Sequence, residues 1–316
     1  MGVRNLNKFI LENCSKKSVN NINFKMLSGK TIVIDISIYM YKFESEKSLL
    51  ENIYLMISIF RFYGVVPVFI FDGKSSSLKS NTLKKRREVK KESAEKYKLL
   101  VEKYENETSV SVRRNIMEDI NKEQKNITRI THEHINRVKE LIEAFGCVHY
   151  TSPSEADEMC VQMVMSGFAW ACLSDDMDMF VYGCPRVLRC FNILNHTLMM
   201  YDMSLILNEL DLSQESFREI CVVSGTDYSD SIYSTPVSFD IYRKFLEFDT
   251  ELSFFEWVNL KHELDVGFLI KVSNHFKQSD DFKCVQYSRR SCVPRTTLIK
   301  SKIIDILDKD GFIFID

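Results

Sequence analysis

Three aspartates close an apolar run in Cys172-Leu173-Ser174-Asp175-Asp176-Met177-Asp178-Met179-Phe180. The residues before them, Phe168-Ala169-Trp170-Ala171-Cys172-Leu173, read as a buried strand, so the acids stand at its carboxyl end. Strand periodicity places Asp176 and Asp178 on one face and Asp175 with Met177 on the other. Two carboxylates sharing a face repel each other unless a cation lies between them. A solvated acidic turn fits the same nine residues, so the choice falls to the remainder of the chain.

Two other apolar runs end on an acid. Thr31-Ile32-Val33-Ile34-Asp35-Ile36-Ser37 is a β-branched central strand with Asp35 near its end, and Pro67-Val68-Phe69-Ile70-Phe71 stops at Asp72-Gly73. Helical patterns lie between the strands, over 49–60 and over 135–145, closed by Gly64 and Gly146. Short strands follow at 147–150, 187–191 and 199–201. This alternation predicts a mostly parallel α/β sheet, in which sites form at the carboxyl ends of strands. Ser154 reads as the N-cap of a helix with Glu155, Asp157 and Glu158 in or beside its first turn, where acids complement the helix dipole. Ser213 caps another helix that ends at Gly225, with Asp227 just beyond.

From Lys79 the character changes. Lys79, Lys84, Lys85, Arg86, Arg87, Lys90, Lys91, Lys96 and Lys98 crowd a segment that continues as polar helix to 125, with a break around 106–109. Most such runs are solvated helical faces. This one directly follows a carboxylate-ended strand, a placement that suits a phosphate backbone passing over an acidic centre.

The chain has 316 residues, 45% hydrophobic and 27% charged, with a formal net charge of -2. That allows one large domain, or a core with a smaller appendage, and excludes a protein basic all over. None of the nine cysteines stands in C-x-x-C spacing, and most lie in apolar runs, which favours free thiols in a reducing compartment over zinc ligands or disulfides. The start lacks a secretory apolar region, and no apolar run is long enough to span a membrane. Met1-Gly2 has Leu6 where a myristoylation signal needs Ser or Thr. A soluble, intracellular protein is expected, in nucleus or cytoplasm.

Taken in order, Met1-Gly2-Val3 with Leu6, Val33-Ile34-Asp35-Ile36-Ser37, Val68-Phe69-Ile70-Phe71-Asp72-Gly73-Lys74, Pro153-Ser154-Glu155-Ala156-Asp157, Asp176-Met177-Asp178 and Ser224-Gly225-Thr226-Asp227-Tyr228-Ser229-Asp230-Ser231-Ile232 resemble the flap endonuclease/XPG family of structure-specific nucleases. The resemblance covers residues 1 to about 232. It implies a doubly wound, mostly parallel sheet of the PIN/resolvase type over 1–232, with a helical arch at about 75–130. It further implies a helix-hairpin-helix-like DNA-binding region over 213–260, leaving 261–316 as a C-terminal helical extension. By position, Asp35, Asp72, Glu155 and Asp157 match the ligands of one divalent ion, and Asp157 bridges to a second ion held with Asp176, Asp178 and Asp227. Lys79 and Arg86 match residues that contact the scissile phosphate; general attraction of DNA is the alternative role. With Lys79 and Arg86, Asp178 is expected to be catalytic. Lys84, Lys85 and Arg87 are further arch contacts to DNA. Tyr41 matches a tyrosine that stacks on a base, although core packing would also suit it, and Gly2 matches a residue lying beside the site.

Many carboxylates without nearby His or Cys suit Mg²⁺, two ions per site, with Mn²⁺ as a substitute. Such a pair can activate an attacking hydroxide and stabilise the leaving 3′-oxygen. The implied activity is that of a 5′ flap endonuclease and 5′ exonuclease acting on branched or flapped DNA in replication, repair or recombination. Two alternatives stay open: a DNA-junction-binding scaffold with a vestigial site, and the same chemistry on a Holliday junction or on RNA.

The sequence also departs from the family. Its hairpin after the last aspartate is glycine-rich, whereas Ile232-Tyr233-Ser234-Thr235-Pro236-Val237-Ser238-Phe239 has no glycine, leaving Tyr242, Arg243 and Lys244 as duplex contacts. A Gln-led double-aromatic peptide for the sliding clamp is not recognisable, since Phe312-Ile313-Phe314 lacks its spacing. A monomer is expected. Residues 233–316 read as helices with aromatic faces (Phe239, Tyr242, Phe245, Phe254, Phe255, Trp257) and a polar stretch over 277–295.

Overall fold

The computed structural model describes residues 2–260, 263–277 and 298–312. Most of the polar stretch, Cys284, Cys292, Ile313 and Phe314 lie outside the described residues.

Seven strands form one sheet: β1 (Val19–Asn23), β2 (Thr31–Asp35), β3 (Val66–Phe71), β4 (Val148–Thr151), β5 (Ala171–Leu173), β6 (Arg186–Asn192) and β7 (Thr197–Asp202), in the order β1-β7-β6-β5-β2-β3-β4. The strands from β6 to β4 are parallel, while β7 and β1 add antiparallel pairs at one edge. The expected mostly parallel α/β sheet is therefore present. Strand β1 had no counterpart in the sequence reading. Its Asn-rich run buries only Val19 and Ile22, three residues apart, so it lacks the alternation that announces a strand.

Side chains of the central strands alternate between two apolar layers. Ile32, Ile34, Phe69, Phe71, Ala171 and Leu173 face one, whereas Val33, Val68, Ile70 and Cys172 face the other. Helices α2 (Ile36–Ser45), α3 (Leu49–Phe62) and α6 (His132–Ala144) cover the first face. The second is covered by α1 (Leu6–Asn13), α7 (Ala156–Met165), α8 (Asp178–Tyr182), α9 (Met203–Leu210) and α10 (Gln214–Ser224). Burying each such aliphatic or aromatic chain contributes about 1.5–3 kcal/mol, which makes the strand ends a stiff base for groups that resist desolvation.

Between β3 and β4 the chain leaves the sheet as a hairpin of two long helices, α4 (Ser80–Asn106) and α5 (Val110–Ile127), with the break at the expected place. Helices α11 (Thr235–Leu246), α12 (Phe254–Asn259) and α13 (Val266–His275) share the second apolar layer through Phe239, Phe254 and Phe276. Helix α14 (Lys300–Asp308) instead packs on α6 through Ile303, Ile306 and Leu307. The described parts of 233–316 thus belong to the two layers that sandwich the sheet.

The chain runs from β2 outward to β3 and β4, then returns to the other side of β2 as β5. At such a reversal the loops leaving the neighbouring strands diverge and open a crevice at their carboxyl ends. Asp35 ends β2, Asp72 follows β3, and Asp176 lies three residues past β5.

Candidate active site

A cleft of about 260 Å³ opens at this crevice, and its walls include Asp35, Asp72, Glu155, Asp157, Asp176 and Asp227 together with Tyr41, Lys79 and Arg86. The seventh acid, Asp178, lies just behind, 1% exposed.

Each acid is held by a different element. Asp35 accepts a hydrogen bond from the Ser174 hydroxyl at 3.1 Å, joining the ends of β2 and β5. Asp72 accepts from the Ala156 amide at 2.9 Å and so satisfies the start of α7. That corrects the reading of Ser154 as N-cap: Glu155 occupies that position without a side-chain capping bond to α7, and the Ser154 hydroxyl donates to Glu158. The approach of the β3 end to α7 needs Gly73, because a Cβ there would run into the Ser152 carbonyl. Asp157 projects from the first turn of α7.

Asp176 and Asp178 come together differently from the expected alternation. Strand β5 ends at Leu173, and Asp178 opens α8, its amide donating to Asp176 Oδ1 at 3.0 Å. A tight turn therefore groups the pair, where a pleat was expected. Gly2, at φ 73°, packs directly against both carboxylates, where a Cβ would collide with their oxygens. Asp227 follows α10 and its Gly225 cap, as expected.

The start of α4 closes over this group. Lys79, 7% exposed, forms ion pairs with Glu155 and, at 3.6 Å, with Asp227. Arg86 Nη2 lies 2.6 Å from Asp227 Oδ2, the Thr82 hydroxyl donates to the Asp227 carbonyl at 2.7 Å, and Lys85 pairs with Asp230 at 2.6 Å. Lys84 and Arg87 are exposed on the same helix. Tyr41 is 51% exposed at the mouth of the cleft, which excludes the core-packing alternative.

Electrostatically the site is dominated by crowded, desolvated carboxylates. Burial, with Asp72 and Asp176 nearby, pushes Asp35 up to about 8. Burial and neighbouring carboxylates likewise raise Asp157 and Asp178 far above the usual range. Asp176 is also raised, chiefly by burial. Burial alone would lower Lys79, yet Asp157, Glu155 and Asp227 hold it above the ordinary lysine value.

Among the described residues, no three carboxylate, imidazole or thiolate groups are drawn together at ligand spacing; the Lys79 ammonium stands between Glu155 and Asp227. The donor set nevertheless suits a hard cation. Among the described residues, the cleft walls contain no His or Cys, and both Asp178 oxygens are buried without a hydrogen-bond partner.

Sequence reasoning placed these acids and cations but missed three partners. Ser174 and Thr82 gave no signal apart from their neighbours. Tyr228 follows Asp227 in the Ser224–Ile232 motif, and only that place marked it. Tyr242, expected to reach DNA, is instead buried with its hydroxyl on Ser216 at 2.7 Å, because it belongs to the apolar face of α11. Arg243 and Lys244 are exposed on α11, and Arg243 lies 3.7 Å from Asp240. The glycine-free turn starts α11 against the chain's own beginning: Thr235 is fully buried and its hydroxyl donates to the Arg4 carbonyl. Seven free cysteines are described, five of them buried, as their apolar surroundings implied. Among the described residues, no helix is long and apolar enough to cross a membrane.

The XPG N-terminal domain model matches residues 1–93 and the XPG I-region model matches 146–227, together more than half of the chain. The chain belongs to the flap endonuclease/XPG family. It is similar to flap endonuclease 1 of Glycine max, 28% identical over 253 residues, which cover 73% of this chain and 63% of that protein. The chain thus spans less than two thirds of that relative's length. In fold it is similar to the catalytic core of Rad2 in complex with DNA substrate, with a TM-score of 0.70 at 18% identity, covering 98% of this chain and 96% of that one. It is also similar to human GEN1 in complex with Holliday junction DNA, with a TM-score of 0.62 at 19% identity, covering 97% and 74%.

Proposed function

We propose that this protein is a divalent-metal-dependent, structure-specific nuclease that hydrolyses phosphodiesters of branched DNA bearing a 5′ single strand. The observation that carries the reading is the convergence of six acids and two arch cations on one cleft at the sheet's reversal point. Asp35, Asp72, Glu155 and Asp157 would hold one ion, and Asp157, Asp176, Asp178 and Asp227 the second. Mg²⁺ is the expected metal and Mn²⁺ its substitute. When bound, two such ions supply charge neutralisation of the scissile phosphate and activation of the attacking water.

The chain's own residues do the rest. Lys79 and Arg86 already lie at the acids, so a phosphate entering the cleft meets both cations at the point where transition-state charge develops. Tyr41, exposed at the mouth, offers a face for the adjoining base. Lys84, Lys85 and Arg87 extend the positive track along the arch. The tight packing of Gly2 on Asp176 and Asp178 seals one side of the group against water.

A vestigial scaffold is the weaker reading, because carboxylates that desolvate and repel one another are retained together only at a cost to stability. A second reading keeps the chemistry and changes the substrate to a four-way junction. The glycine-free turn, buried against Arg4, leaves that substrate open, and human GEN1, similar in fold, is bound to Holliday junction DNA. Cleavage of labelled 5′-flap, four-way-junction, single-stranded and RNA substrates side by side separates these readings. Preference for the flap supports the first, preference for the junction the second, and binding without cleavage the scaffold.

A further inference from the structure

One buried aromatic cluster touches the site without a role in the reaction just described. Tyr228, 4% exposed, donates its hydroxyl to Glu155 Oε2 at 2.7 Å, and the Lys79 ammonium sits over its ring, 4.8 Å from the centroid. A single side chain therefore meets both an acid of the site and the cation at the arch base. The ring is itself held from behind by the end of α13. His275 packs on it at 4.4 Å between centroids and Phe276 meets it edge-on at 5.2 Å. His275 Nε2 lies 3.4 Å from the Tyr182 hydroxyl, and Phe276, fully buried, also packs against the Tyr182 ring at 4.8 Å. Helix α13 falls outside the segments matched by the family models, and Tyr228 stands directly after the end of one of them.

Glu155 needs such a partner. It occupies the N-cap position of α7 without a capping bond, so its own helix does not fix its side chain. Its other contacts are the Ser76 amide at 3.4 Å and the long, flexible Lys79 side chain. A tyrosine has few rotatable bonds, and wedged between rings it presents its hydroxyl at one point.

We propose that Tyr228 is a positioning residue that fixes Glu155 and seats Lys79, and that His275 in turn positions Tyr228. The inference rests on the reading of Glu155 as part of a metal-dependent nuclease site. It ties the C-terminal helices to the chemistry through one ring.

Tyr228→Phe keeps the ring and removes the hydroxyl, whereas His275→Ala removes the support behind it. Two readouts are taken on the full chain: the Mg²⁺ concentration giving half of the metal-induced rise in melting temperature without DNA, and kcat and KM on the preferred DNA substrate. Tyr228→Phe is expected to raise the Mg²⁺ half-point and to lower kcat by about tenfold, the loss of one hydrogen bond to a charged group, with KM little changed. His275→Ala is expected to shift both in the same direction by less. Combined with Tyr228→Phe its effect should shrink, because it acts through the missing hydroxyl. Unchanged Mg²⁺ half-points and kcat, or losses that multiply in the double variant, overturn the proposal. So does an effect confined to the melting temperature in chelator, which assigns the cluster to packing alone. Should the wild type cleave no DNA, the nuclease reading fails while the Mg²⁺ melting arm still decides the positioning role.

Discussion

Arg86 Nη2 and Asp227 Oδ2 lie 2.6 Å apart although 141 residues separate them in the chain. Helix α4 is thereby fastened at its base to the loop after α10, with Thr82 and Lys85 adding two further bonds to the same loop. Lys79 and Arg86 on one side, and Glu155 and Asp227 on the other, are each other's partners.

That pairing sets up a competition. If Asp227 holds a metal ion, that ion would displace a guanidinium, so Arg86→Ala should lower the Mg²⁺ half-point for thermal stabilisation, even as single-turnover cleavage falls by about 100-fold or more. Lys79→Ala should behave alike, with cleavage lost more than DNA affinity. A weaker response to Mg²⁺ in both variants, or a loss wholly in affinity, would show that the arch cations do not act at the acids.

Asp178 is buried with neither oxygen hydrogen-bonded. An unpaired buried carboxylate opposes folding, and its neutral isostere opposes it less. Asp178→Asn is expected to stabilise the protein in chelator by about 1–3 kcal/mol, to diminish the stabilisation by Mg²⁺, and to abolish cleavage. Denaturant unfolding with and without metal checks the sign; destabilisation in chelator would contradict it.

The pH dependence of the metal-free protein follows from Asp35. Burial, with Asp72 and Asp176, pushes it up to about 8 in the fold, while in the unfolded chain it titrates near the ordinary value of about 4. Between those limits the folded protein keeps a proton that the unfolded chain has released, so stability falls as pH rises. In chelator the melting temperature should therefore drop between about pH 5 and about pH 8, and Mg²⁺ should reduce the drop. A melting temperature that rises over this interval in chelator would be incompatible with a crowded, desolvated acid cluster.

Gly73 offers a test of the scaffold rather than the chemistry. A Cβ there meets the Ser152 carbonyl, a backbone group that cannot swing aside. Gly73→Ala should destabilise the protein by about 2 kcal/mol or more and weaken cleavage by moving Asp72 away from α7. Wild-type stability in denaturant would mean that the β3 end and α7 tolerate a wider approach.

The parts of the site that the sequence made legible are those set by local rules. Asp35 and Asp72 end apolar runs, Gly225 announces the stop before Asp227, and the basic run after Lys79 stands out by charge. What escaped notice depends on tertiary packing. Asp176 and Asp178 obey a helical turn because β5 stops after three residues. Asp72 took over the capping of α7 from a distant strand. Tyr228 and His275 meet through ring contacts between a loop and a helix 47 positions apart, which no periodicity records. The Asn-rich β1 was hidden for the opposite reason, having too little apolar surface to show its register.

Cleavage with and without metal decides whether these acids form a metal-dependent nuclease site. An end-labelled 5′-flap duplex is incubated with the untagged protein in Mg²⁺, in chelator, and with Asp178→Ala in Mg²⁺. Incision near the flap base in the first reaction, absent from the other two, is the expected result. Incision that persists in chelator or in Asp178→Ala would place the chemistry elsewhere and contradict the assignment.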